Sequence, residues 1–179
     1  MACPELLARH ELVTVPGYRL VTVRDQENDA GAGLDEALAR AAAAVVASTG
    51  YELVISCAQD LLPVAVRLQT WSARPEDGDD EPEWSVPQEF QLECPSGLAV
   101  VGSPTGDVLD VPLPAGPGAY GVDVVHQGRE RALAARQDVL GHEDLAGRKQ
   151  ELVDAQPGGF ERYRVRLWFG TPLPDDEDW

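Results

Sequence analysis

The chain has 179 residues, of which 31 are acidic and 14 basic, and its formal net charge at pH 7 is −17. This balance disfavours binding to nucleic acid and docking on anionic lipid, because both need a positive protein surface. A hydrophobic fraction of 44% argues against wholesale disorder. A chain of this length can also bury a sizeable core without disulfides or metals.

The first predicted elements are two β-rich segments, Glu11–Val15 and Tyr18–Arg24, separated by the turn dipeptide Pro16-Gly17. A helix is predicted over Leu34–Ser48, because apolar residues recur there at helical spacing and two acids lie in its first turn. Residues 25–33 between them are polar and contain glycine, so they are predicted to form a loop.

From residue 51 the apolar period changes to two. Strands are predicted over Tyr51–Cys57, Pro63–Trp71, Pro87–Cys94, Leu98–Gly102, Val108–Leu113, Tyr120–His126 and Glu161–Phe169. Such short alternating strands predict a mainly β fold, an antiparallel β-sandwich of immunoglobulin-like or Greek-key type with one or two helices. We expect one sandwich domain over residues 1–179, with an acidic loop at 74–84, a partly helical insertion at 128–159 and an acidic tail at 171–179.

A Pro- and Gly-rich corner over residues 113–119 leads into Tyr120, which begins an alternating strand. In immunoglobulin-like sandwiches a tyrosine in this position folds its hydroxyl back onto the corner backbone. The pattern indicates the architecture and carries no information about function.

No pattern in the sequence predicts a catalytic residue, a cofactor or a metal site. Cys3, Cys57 and Cys94 are widely spaced, and the last two are expected to be buried free thiols. The sequence has neither a nucleophile elbow nor a phosphate-binding loop. No apolar run is long enough to span a membrane and no signal peptide is apparent, so we expect a cytoplasmic protein.

Two acidic runs each close on a tryptophan. The first contains Glu76, Asp77, Asp79, Asp80, Glu81 and Glu83 and ends at Trp84, and the second covers residues 175–178 before Trp179. Together they hold ten of the 31 acids, and the remaining chain has a net charge of −7. Two interpretations stay open: solvated segments, or a surface on which acids steer a basic partner and tryptophan anchors it.

The last predicted strand places Arg162, Arg164, Arg166 and Trp168 on one face. These arginines either pair across strands with Glu89 and Glu93 or bind an acidic group on a ligand or partner.

The order of elements resembles the competence protein J family, small cytoplasmic bacterial inhibitors of a DNA-entry nuclease. The similar segments are Tyr18–Val23, Asp35–Ala37, Glu89–Cys94, Ser96–Val100 and the corner from Val111 to Tyr120. The resemblance covers about residues 12–125, whereas the 128–159 insertion and the acidic tail depart from the pattern. It implies a nuclease-inhibitor or immunity role and assigns no site residue.

We therefore expect a non-enzymatic protein that binds a basic protein such as a nuclease or toxin and does not bind nucleic acid or membranes directly. The alternatives are a small-ligand or assembly module that uses the Arg162, Arg164 and Arg166 face, and a hydrolase built from dispersed carboxylates.

Overall fold

Ten strands and three α-helices are formed within residues 3–28, 31–76 and 83–174, which the computed structural model describes. The strands are β1 (Leu6–Thr14), β2 (Leu20–Asp25), β3 (Val46–Ser48), β4 (Glu52–Ser56), β5 (Val64–Trp71), β6 (Gln88–Cys94), β7 (Leu98–Gly102), β8 (Val108–Pro112), β9 (Gly118–Gln127) and β10 (Glu161–Thr171). The helices are α1 (Leu34–Ala44), α2 (Arg129–Gly141) and α3 (Leu145–Ala155).

The strands form two five-stranded sheets. The first sheet has the order β1-β5-β10-β9-β6 and the second has the order β3-β4-β2-β7-β8. The strand pairs are antiparallel except for β5 and β10, which run parallel. The predicted mainly β sandwich is confirmed, with one parallel pair at the centre of the first sheet and with three helices.

The core lies between the two sheets because alternate residues of each strand face inward. From β10 it receives Tyr163, Val165 and Leu167, which are at most 1% exposed, as the alternation over Glu161–Phe169 predicts. Cys57 and Cys94 are buried free thiols, as expected, whereas Cys3 is exposed.

The predicted helix over Leu34–Ser48 extends too far, because its last residues form a separate short strand. Helix α1 ends at Ala44, and Val46 pairs with Ile55 of β4 as the first residue of β3. Val45 makes the break with a φ of +74°, a strained conformation for a β-branched residue. The β-branched Val45 and Val46 favour the sheet, where Val46 is buried in the core.

The 128–159 insertion is a helical hairpin. Arg148 of α3 donates to Asp138 of α2 at 2.7 Å and also pairs with Glu151. Ala135 and Val139 of α2 pack on the buried Leu62, which precedes β5. The hairpin therefore covers the end of the sandwich where β5 and β10 begin.

A buried carboxylate attaches α2 to the sandwich. Glu161, which is fully buried at the start of β10, accepts hydrogen bonds from Ala58 N at 2.7 Å and from the Tyr163 hydroxyl. Arg129, the first residue of α2, pairs with the same Glu161 oxygen at 3.0 Å and donates to the Ser56 carbonyl. Burial raises the pKa of Glu161, and these donors oppose the rise.

The tyrosine corner is present. The Tyr120 hydroxyl donates to the Gly116 carbonyl at 2.5 Å, and the side chain is 2% exposed against the edge of the Phe169 ring. Burial, with the nearby Cys94 and Asp25, raises the pKa of Tyr120 to about 12, so the hydroxyl keeps its proton at neutral pH.

Tyr120→Phe is expected to lower the free energy of unfolding by about 1–2 kcal/mol, because it leaves the Gly116 carbonyl without its donor. Urea unfolding measures the change. The matched control is Tyr18→Phe, because Tyr18 is 77% exposed and its loss of a hydroxyl should cost less than about 0.5 kcal/mol. Equal effects of the two substitutions would contradict a stabilising corner.

Candidate functional site

The outward face of the first sheet is partly buried, although it points away from the core. Asp123, Val125 and Gln127 of β9 are 2%, 1% and 7% exposed, and Arg166 beside them on β10 is 5% exposed. The segment between β5 and β6, residues 72–87, contacts this face through its described parts, 72–76 and 83–87, and its Pro75 is buried. We call this segment the covering loop.

The described residues of the covering loop contact the row of Arg162, Arg164, Arg166 and Trp168 on β10 at three points. The Arg74 guanidinium lies 5.8 Å from the Trp168 ring centroid, and the Glu76 carbonyl accepts from Arg166 at 3.4 Å. After the acidic run, Trp84 stacks with the Arg164 guanidinium, 5.1 Å from the ring centroid. Cation–π contacts of this kind contribute about 0.5–2 kcal/mol each.

Beyond Trp84 the covering loop joins β9 and α2. Ser85 N donates to the His126 carbonyl at 2.9 Å, and His126 N donates to the Ser85 hydroxyl at 3.0 Å. Glu83 pairs with Arg131 of α2 at 3.2 Å, where both side chains are exposed. Trp84 and Arg131 border a cleft of about 650 Å³ between the loop and the start of α2.

A buried ion pair lies beneath the loop. Arg166 Nε donates to Asp123 Oδ1 at 2.7 Å and Arg166 Nη2 donates to Asp123 Oδ2 at 2.6 Å, so the pair is bidentate. The two side chains are 5% and 3% exposed. The register explains the contact, since Arg166 and Asp123 are direct partners across β10 and β9.

The structure brings together two features that the sequence presents separately. Trp84 and the carbonyl of Glu76, at the two ends of the acidic run, contact Arg164 and Arg166 on one face of the first sheet, where Trp168 also lies. Arg162 continues the row and is exposed. The remaining acids of the run, Asp77, Asp79, Asp80 and Glu81, and residues 175–179 of the tail lie outside the described residues.

The interpretation that Glu89 and Glu93 pair with the arginine row is wrong for Glu89. Strand β9 lies between β6 and β10, so Asp123 occupies the position beside Arg166 and Glu89 lies one strand further away. Glu89 pairs instead with Arg74 of the covering loop.

Sequence reasoning missed Asp123, Arg74 and Arg131. One signal pointed to Asp123: it is a charged residue at the centre of an otherwise apolar strand, between Val122 and Val124. A charge in such a position is almost always paired. Nothing local in the sequence indicates that Arg74 contacts Trp168 and Glu89. The same holds for the pairing of Arg131 with Glu83.

Other kinds of site find little support in the part of the chain that the structure describes. There, no three His, Cys, Asp or Glu side chains converge into a metal-binding group. None of its helices is both long and apolar enough to cross a membrane. His126 is half-buried, and desolvation together with the charge of Arg129 lowers its pKa.

Two solved structures share this sandwich. ComJ from Bacillus subtilis, an inhibitor of the DNA-degrading activity of NucA, matches with a TM-score of 0.54 and 10% sequence identity over 94% of this chain and 100% of ComJ. The protein of crocagin biosynthetic gene J matches with a TM-score of 0.53 and 14% identity over 95% of this chain and 100% of that chain.

At these identities the similarity shows a common fold, and it confirms at that level the resemblance to the competence protein J family. No family model matches the sequence, and neither does any curated protein.

Asp123→Asn is expected to lower the free energy of unfolding by about 3–5 kcal/mol, because it removes the carboxylate charge that is paired in a bidentate way with the buried Arg166 guanidinium. Urea unfolding of the purified variant measures the loss. The double variant Asp123→Leu with Arg166→Met should recover most of it, since well-packed apolar residues can replace a buried ion pair.

The control is Glu89→Gln, which breaks the exposed pair with Arg74 and should cost less than about 1 kcal/mol. If Asp123→Asn were no more destabilising than Glu89→Gln, the pair beneath the covering loop would have no structural role.

Proposed function

We propose that this chain is a non-enzymatic cytoplasmic protein that inhibits a basic nuclease. The acidic segment, residues 76–83, would dock against the cationic cleft in which the nuclease holds DNA. Carboxylates can occupy positions that phosphates take in such a cleft, and a negative patch speeds encounter with a positive one. The fold shared with ComJ supports the inhibitor class.

The observation that carries the proposal is the attachment of the acidic segment at both ends. The Glu76 carbonyl is bound by Arg166, and Glu83 and Trp84 are held by Arg131 and Arg164. The sequence between these attachment points holds six acids within eight residues and no Lys or Arg. Because the segment is held at both ends, a partner that binds it loses less conformational entropy than one that binds a free chain.

The alternative use of the arginine row as a ligand site has less support. Arg166 is engaged by Asp123 and buried beneath the covering loop, and Arg164 is stacked on Trp84. Arg162 is the exposed member of the row and lies beside Arg67, which pairs with Glu11 at 3.1 Å.

The test is inhibition of the DNA-degrading activity that cation exchange enriches from extracts of the source organism, with linear DNA as substrate. The purified protein should suppress this activity. A variant with Glu76, Asp77, Asp79, Asp80, Glu81 and Glu83 changed to Gln or Asn should need at least about tenfold more protein at low salt. The difference should shrink as added salt screens the charges.

The matched control removes six exposed acids elsewhere and changes the net charge equally. It carries the corresponding amide substitutions at Glu27, Asp35, Glu36, Asp107, Asp110 and Glu143. This control should inhibit like the parent protein. Equal loss of inhibition in both variants would show that only the net charge matters and would contradict docking by the acidic segment. Absence of inhibition by the parent protein would overturn the proposed function.

A further inference from the structure

A groove lies on the outward face of the second sheet, opposite the covering loop. Helix α1 packs over β3 and β4 and leaves the face of β2 open beside it. Leu34 and Leu38 of α1 form one wall, and Val100 and Val108 of β7 and β8 belong to the other. The volume is about 350 Å³, within the range of sites for small molecules. We call it the helix groove.

The floor of the helix groove is polar because the strand register gathers three side chains there. Glu52 of β4 is the direct partner of Arg24 on β2, and Thr22 lies two residues before Arg24 on the same face. Thr22 and the charge of Arg24 both act to lower the pKa of Glu52. The Arg24 guanidinium itself donates to the Asp25 carbonyl at 3.3 Å.

Glu52 is an unusual residue in this position. It is 6% exposed, and its Oε2 atom has no hydrogen-bond partner among the described residues. Burial raises the pKa of Glu52. A buried carboxylate oxygen without a donor is costly, so it marks a place where a donor from another molecule would be stabilising.

We propose that the helix groove binds a small organic monocation, with its ammonium group donating to the Glu52 carboxylate and its apolar body lying between α1 and β7. The free acceptor and the strongly acidic chain favour a cation. The guanidinium of Arg24 beside Glu52 disfavours a second positive charge, so a polyamine fits less well. Leu34, Leu38, Val100 and Val108 would contact the apolar body. This site is separate from the acidic segment and does not depend on the proposed function.

The test uses hexylammonium as the probe, with hexan-1-ol and hexanoate as neutral and anionic molecules of the same length. Amide chemical shifts of the full chain in NMR titrations give the affinity and the location. Hexylammonium should shift the amides of Thr22, Val100 and Leu38 and bind most tightly of the three. Glu52→Gln should weaken it by about tenfold, since a hydrogen bond between two charged groups is lost.

Two further variants make the result specific. Glu36→Gln removes an equal charge from an exposed position of α1 and should change the affinity by less than about twofold. Val108→Trp places a large ring at the rim, where Val108 is 59% exposed, so it should block the groove without threatening the fold. Equal binding of hexan-1-ol, tighter binding of spermidine, or no effect of Glu52→Gln and Val108→Trp would overturn the proposal.

Discussion

The insertion of β10 between β5 and β9 is the constraint on which the rest of the first sheet depends. Without this strand the sheet would divide into a β1–β5 pair and a β9–β6 pair, and two-stranded ribbons are marginally stable in water. One side of β10 supplies Tyr163, Val165 and Leu167 to the core, and the other side supplies the arginine row. The covering loop contacts this row, so the positions of Glu76 and Trp84 also follow from the strand order.

Side-chain periodicity accounts for what the sequence predicts well. Most strands are predicted from the sequence because side-chain alternation is a local property. The Pro- and Gly-rich segment before Tyr120 predicts the tyrosine corner in the same local way. The end of α1 was not predicted, since Leu34–Val45 retains helical spacing and only pairing with β4 moves Val46 into the sheet. Strand order is not local either, so the sequence alone does not show that β9 lies between Glu89 and the arginine row. The contacts of Arg74 and Arg131 depend on the path of a loop, which no periodicity encodes.

The covering loop gives the first sheet a second, smaller interior with mixed chemistry. Pro75 and Val125 are buried there beside a bidentate ion pair and the arginine–tryptophan stack. A buried charge pair contributes geometric specificity more readily than net stability, because desolvation offsets much of the Coulomb attraction. Arg166 thus has two roles at one position: it neutralises Asp123 and holds the carbonyl of Glu76. The acidic segment therefore begins at a point fixed by this interior.

The late place of β10 in the chain has a consequence for biosynthesis. While a ribosome is still making residues 161–171, the facing edges of β5 and β9 have no strand between them, and the apolar residues around them have no complete core. Unpaired strand edges with exposed apolar surface are prone to intermolecular pairing. The helical hairpin of α2 and α3 is synthesised in that interval, and its contacts with Leu62 and Ser56 lie beside the start of β5. It is therefore placed to shield one end of the unfinished sheet until the last strand arrives.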